Sequence, residues 1–296
     1  MAQQLRTIRR RINSVRSTQK ITRAMELIAS SRIIKAQQRV DAARPYAEEM
    51  RRLMGSVAQR AGSIDHPLLR TRDEVRRVGT IVVAGDRGLA GAYNSNVIRA
   101  AERDLEAHGR DHALYVSGKK AVGYFRFRGY DLEQSWTGMS DQPSIDDARA
   151  IASAVTGAFG AGDVDEVRLA YTRFESMLIQ RPVVVRLLPL PREDIAGDDD
   201  AGPGPQYVFE PEPADILGVL LPRYVEGTIY QGMLEAAASE HAARRRAMKA
   251  ATDNADELIG NLTRVYNQAR QAEITTEIME VVGGAEALTA ASAEQA

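Results

Sequence analysis

The residues of this chain whose types and spacing could do chemistry fall into three groups. The first is a glycine-punctuated turn, GDRGLAGAYN, at residues 85–94. A glycine-rich strand-to-helix turn exposes backbone amides that can cradle a phosphate. Here the glycines stand at Gly85, Gly88 and Gly91, which is neither a GxGxxG fingerprint nor a Walker loop with its Lys-Ser/Thr. No acid closes the next strand to hold a ribose. The stretch reads as a tight turn, with Asp86, Arg87 and Asn94 as its polar side chains.

The second group is acid–base and metal-ligating. His66, His108, His112 and His241 show no HExxH-type spacing, and His108 and His112 flank a loop. Asp146-Asp147 and Asp198–Asp200 lack an acid–base partner and read as a helix N-terminal turn and a loop. The absence of cysteine excludes disulfides, thiolate metal sites and thiol regulation. No catalytic, cofactor-binding or metal-binding residue is expected.

The third group is cationic. Residues 1–60 hold fourteen Lys/Arg against four acids, although the whole chain carries a net charge of only −1. Such a segment could bind nucleic acid, lie on an anionic membrane or meet an acidic protein. Residues 1–45 contain no aromatic for base stacking. Their apolar stripe is also too narrow for membrane insertion. A solvated helix face touched by acidic protein loops fits best, and RRRAM (244–248) would add to it.

The elements that must position these groups are two long helices. At the N-terminus, Leu5, Ile8, Ile12, Val15, Gln19 and Thr22 open a heptad that resumes at Ala29 and continues to Val57. Around Gln19–Glu26 the stripe turns polar, and Ile21, Met25 and Ile28 make a second apolar edge, which indicates a change of winding or partner. Pro45 should kink or divide the helix. The C-terminal stripe runs Met248, Ala251, Ala255, Leu258, Leu262, Val265, Ala269, Ala272, Thr276, Met279, and Gly283-Gly284 should end it.

Between them strands alternate with helices: VGTIVVAG (78–85), HALYVSG (112–118), YDLEQSW (130–136), EVRLAYTRFES (166–176) and QRPVVVRLLPL (180–190). The expected class is mixed, α+β and α/β. A long antiparallel coiled coil of the terminal helices (1–60 and 215–288) would carry an inserted Rossmann-like α/β domain (78–192) as a globular foot. An acidic Pro/Gly-rich loop (193–214) and a frayed tail (289–296) complete the division, and the longer C-terminal helix should project beyond the pair. No apolar run approaches the ~18 residues of a membrane span, and the charged N-terminus is unlike a secretory signal, so a soluble intracellular chain is expected.

Four segments carry a resemblance: ITRAMELIASSRIIKAQ (21–37), GDRGLAGAYNSN (85–96), MKAATDNADELI (248–259) and ITTEIMEVVGGAEA (274–287). They resemble, in order and over residues 1 to about 288, the signatures of the gamma-subunit family of F-type ATP synthases, the central rotor shaft. The last matches the family's I-T-x-E-x-x-E-x-x-x-G-A pattern at Ile274, Thr275, Glu277, Glu280, Gly284 and Ala285.

The resemblance implies a non-catalytic subunit, one copy per complex, of a proton-translocating ATP synthase. Its coiled coil would turn inside a hexamer of alternating alpha and beta subunits and change the three catalytic sites in turn. Met25, Arg244, Gln271 and Thr275 match the positions where the shaft meets catch loops of the hexamer. Lys20, Arg23, Arg32 and Lys35 would face acidic beta-subunit loops, and the end near 280–290 would sit in an apolar bearing. The foot would bind the epsilon subunit and stand on the membrane rotor ring, making the chain a peripheral protein of the cytoplasmic face of a bacterial membrane. No nucleic-acid partner and no cofactor are implied. From the residues alone, a coiled-coil scaffold or nucleic-acid-binding protein with an inserted α/β domain stays open. A stand-alone nucleotide enzyme would need the phosphate loop that residues 85–94 do not form.

Overall fold

The computed structural model describes residues 2–60, 66–72, 74–108, 111–190 and 213–294, and the acidic loop expected at 193–214 lies almost wholly outside the described residues. Helix α1 (Ala2–Arg60) is followed by β1 (Arg77–Val83), α2 (Tyr93–His108), β2 (Asp111–Ser117), α3 (Lys119–Phe127) and β3 (Leu132–Trp136). Then come α4 (Ile145–Ala161), β4 (Glu166–Phe174), β5 (Gln180–Leu188) and α5 (Pro213–Glu294). By contact the chain divides into two compact units, Ile28–Arg246 and the pair Met1–Leu27 with Ala247–Ala296.

The larger unit is built on a five-stranded sheet of order β3-β2-β1-β4-β5. The pairings β1–β2, β1–β4 and β2–β3 are parallel, and the β4–β5 hairpin is antiparallel. Both faces are covered, which is why β1 reads as an unbroken apolar run rather than an alternation. Ile81, Val83, Tyr115, Leu169 and Tyr171 point to one face, where they pack with α4 (Ile151, Val155, Phe159), α1 (Met50, Met54) and α5 (Leu221, Val225, Ile229). Val82, Leu114, Val116 and Ala170 alternate to the other face and meet Val97, Ala101 and Leu105 of α2 and Phe125 of α3. The inner parts of the two long helices therefore belong to the core of the sheet domain. Ala36 and Val40 of α1 also pack directly on Leu234 and Ala238 of α5.

Local chemistry sets the ends of α4. The Ser144 hydroxyl accepts from the Asp147 amide and the Asp147 carboxylate accepts from the Ser144 amide, a reciprocal box that satisfies two otherwise orphaned donors. Gly162, at φ 88, closes the other end in the left-handed conformation.

In the smaller unit α1 and α5 run antiparallel. Gln19 bonds Asp256 and Thr22 bonds Thr252, so a step forward on one helix goes with a step back on the other. From Gln3 to Leu27 the protected side chains are Leu5, Ile8, Ile12, Val15, Gln19, Thr22, Met25 and Glu26, and the first six are the expected heptad. On α5 only one column of the expected stripe, Met248, Ala255, Leu262, Ala269 and Thr276, is uniformly protected. The second column is shifted by one residue, to Thr252, Ile259, Tyr266 and Glu273, while Leu258 (43% exposed), Val265 (48%) and Met279 (67%) face outward.

Two expected breaks do not occur. Helix α1 is not divided at Pro45: Asp41, whose carbonyl loses its bond there, and Pro45 itself lie on the exposed face, and buried Met50 and Met54 hold the segment beyond. Helix α5 passes through Gly283-Gly284 and continues to Glu294, into the tail expected to fray. Glycine in a helix interior costs about 1 kcal/mol relative to alanine, a weak penalty that does not by itself end a long helix.

Candidate functional site

At the C-terminal ends of β1, β2 and β3 the expected turn is organised by Asp86. One carboxylate oxygen accepts from the Lys119 amide at 3.0 Å, and the other accepts from the amides of Gly138 (2.8 Å) and Ser140 (3.2 Å). Burial pushes this carboxyl up, but those three amides outweigh it and hold Asp86 below the usual carboxylate range. Asn94 closes the same turn: its Oδ1 accepts from Gly85 N (2.8 Å) and its Nδ2 donates to the Arg87 carbonyl (3.2 Å). The turn is thus an internal clamp: Asp86 gathers amides from the loops after β2 and β3, and Asn94 closes residues 85–94 on themselves.

Gly88 links this turn to α5. Its carbonyl accepts from the Arg244 guanidinium at 3.2 Å, and Arg244 pairs with Glu240 at 2.6 Å. Both partners are nearly enclosed, Arg244 at 8% and Glu240 at 2% exposure. Burial raises the Glu240 carboxyl above its ordinary value, and Arg244 only partly offsets this. Arg244, expected at a hexamer contact, is therefore turned inward, because a buried carboxylate needs its charge and donors more than solvent does.

Further along the same helices, Arg32 of α1 bonds both oxygens of Asp141, and the Nε2 of His241 approaches Asp141 at 3.4 Å. Burial lowers the His241 pKa against the opposing pull of Asp141, favouring the neutral imidazole. Arg39 donates to the Pro143 carbonyl. Arg32 is thus already committed within the chain. Lys20, Arg23 and Lys35 are exposed, and Met25 is half-buried.

The remaining expected contact residues, Gln271 and Thr275, are exposed, as are Ile274, Glu277, Glu280, Gly284 and Ala285. Pairing Gln19 with Asp256 and advancing in opposite directions exhausts α1 near residue 273 of α5. Beyond Thr276 every described side chain, 277–285, is exposed. Ile278 (56%), Val281 (73%) and Val282 (48%) form an apolar helix end uncovered by the described residues.

Sequence reading missed Asp141 and Glu240, and weighed His241 only as a metal ligand. The signal was there, in a Glu-His pair interrupting the small-residue run AAASEHAA (236–243). Among the described residues no group of three or more His, Cys, Asp or Glu could hold a metal ion, and no helix is long and apolar enough to cross a membrane. Asp86, Asp141 and Glu240 are committed to amides or guanidinium groups. Among the described residues these contacts hold α1 and α5 to the loops of the sheet domain.

A family model described as ATP synthase matches residues 4–288. The chain is 52% identical to an ATP synthase gamma chain of Acidothermus cellulolyticus, over 99% of this chain and 100% of that one. It is 50% identical to the gamma chain of Mycolicibacterium smegmatis, over 97% and 99%. Among solved structures, a chain of the central stalk and c-ring of the Tetrahymena thermophila mitochondrial ATP synthase matches with 25% identity and a TM-score of 0.59, covering 78% of this chain and 99% of that one. A chain of the Euglena gracilis mitochondrial ATP synthase, in an assembly of OSCP, F1 and c-ring, shares the fold at a TM-score of 0.64 and 18% identity, covering 99% and 97%.

Proposed function

The chain belongs to the ATP synthase gamma family, and on that premise we propose how its parts serve a rotor. It is a non-catalytic central-stalk subunit of an F-type ATP synthase, and its partners are the alpha/beta hexamer and the membrane rotor ring. Its complex is membrane-associated, and the chain reaches the membrane through that ring, on the cytoplasmic face of a bacterial membrane. Residues 2–27 and 247–276 wind as an antiparallel coiled coil that enters the hexamer, and the sheet domain binds the epsilon subunit and stands on the ring.

One observation carries this assignment of parts: the uncovered apolar end of α5, from Ile278 to Val282, runs past the start of α1, whose outward face is cationic. Such an end needs a sleeve, and the hexamer supplies an apolar bearing for it. Lys20, Arg23 and Lys35 stay exposed for exchange with acidic loops, and exposed Gln271 and Thr275 serve with half-buried Met25 as catch contacts. Exposed ion pairs are worth only about 0–1 kcal/mol each, so a turning shaft can trade them where one large apolar patch would stick. Arg32 and Arg244 act differently, by fixing α1 and α5 to the loops of the sheet domain.

The test is native mass spectrometry of the tagged chain recovered from source membranes. One copy of this chain with three each of two larger nucleotide-binding chains supports the proposal. Recovery as a free homo-oligomer would refute it.

A further inference from the structure

Between α1, the loop after β3 and α5 lies a cavity of about 320 Å³, in the size range of small-ligand sites. Arg32, Lys35 and Arg39 project into its lining from one face of α1, while Asp141 and His241 line it from the loop and from α5. Its floor is apolar, including Leu234 and Ala237.

The charges do not balance. Asp141 is taken up by Arg32, so Lys35 and Arg39 stand four residues apart with no carboxylate partner among the described residues. Like charges at that spacing repel. The lining also holds an unsatisfied polar atom: His241 is 2% exposed, and its Nδ1 has no hydrogen-bond partner. With Nε2–H directed to Asp141, the neutral ring leaves Nδ1 as a buried acceptor, which folded proteins ordinarily satisfy. A hydrogenphosphate group meets both demands, offering several acceptor oxygens to the cations and a P–OH donor to the imidazole. A carboxylate, with two coplanar oxygens and no proton at neutral pH, meets only the first.

We propose that this cavity binds a small phosphate-bearing anion, held by Lys35 and Arg39 and oriented by His241. The proposal does not rest on the rotor assignment: it shares Lys35 with the cationic face assigned there, but its test reads the isolated chain.

Isothermal titration calorimetry of the purified full chain, at constant chloride ionic strength, tests it with inorganic phosphate and with ADP as probes. Saturable phosphate binding is expected, weakened about tenfold or more in Lys35→Ala/Arg39→Ala, as the loss of charge-assisted hydrogen bonds requires. Arg52→Ala, on the same helix outside the cavity, should bind as the parent does, and circular dichroism should show all variants equally helical. Displacement of phosphate by ADP would identify the ligand as an organic phosphate, and phosphate binding without displacement would identify the free anion. Absence of saturable binding by the parent chain, or equal weakening by Arg52→Ala, would overturn the proposal.

Discussion

Thr22 and Thr252 stand 230 positions apart in the chain, yet their hydroxyl oxygens lie 2.8 Å apart inside the helix pair. Each hydroxyl is also within reach of its own helix, Thr22 of the Gln19 carbonyl (3.0 Å) and Thr252 of the Met248 carbonyl (2.9 Å). A hydroxyl has one proton, so one threonine donates across the seam while the other donates to its own helix. This polar rung pins the register where the apolar stripe of α1 is weakest.

Replacing one member of the rung should cost more than replacing both. Thr22→Val or Thr252→Val leaves a buried hydroxyl short of a partner, at a cost of about 1–2 kcal/mol. The double variant should cost clearly less than the sum, giving a coupling above ~0.5 kcal/mol in a urea-denaturation cycle. Strict additivity would mean that the hydroxyls do not interact.

Gly118 and Gly85 lie close together at the turn clamp, but they should differ sharply in tolerance. A Cβ on Gly118, at φ 105, would stand 2.2 Å from the Ala84 carbonyl oxygen, which is backbone and cannot yield. On Gly85 it would meet the Glu240 carboxylate at 2.9 Å, the end of a side chain that can shift. Gly118→Ala should therefore destabilise by more than about 4 kcal/mol, and Gly85→Ala by about 1–3 kcal/mol. Thermal denaturation ranks them, and equal midpoints would contradict the geometry.

Asp86 should make stability pH-dependent with a definite sign. Its folded pKa is depressed, so its contribution is fully present above the unfolded value near 3.9 and is lost as pH falls through the folded value. Asp86→Asn offers one acceptor oxygen to amides that now bond two, and should cost about 1–3 kcal/mol at pH 7. The gap between variant and parent should narrow below pH ~4. A gap that stays constant into acid would exclude a charged Asp86 in the clamp.

The outward face of α5 should matter only in the assembly. Val281→Asp lies on a fully solvated helix surface, so the isolated chain should change by no more than about 0.5 kcal/mol. In reconstitution with alpha and beta subunits, the same charge would enter an apolar bearing and lower the yield of complex. Normal assembly would place the end of α5 outside the hexamer.

Much of this was legible in the sequence, for a physical reason. The strands starting near Val78, His112, Glu166 and Gln180 were readable because buried β-branched runs and glycine turns are local signals. The α1 seam from Leu5 to Thr22 was readable because its outward residues are charged. On α5 the same logic slipped: Leu258 and Val265 are apolar yet point away from α1, Met279 lies beyond it, and Thr252, Tyr266 and Glu273 occupy the seam. Periodicity marks apolar faces without saying which partner covers them, and a shaft keeps some for another chain. The Glu240–Arg244 pair and the Asp86 clamp stayed hidden, since each joins residues that only the tertiary fold brings together.

Rotation itself is the most direct measurement. The chain has no cysteine, so a single one introduced at exposed Arg103 on α2 gives a unique attachment point for a bead or dye. With the hexamer immobilised and ATP supplied, the label should turn in one direction and stop when ATP is removed. ATP hydrolysis by the same complexes with a stationary label would contradict the rotor account.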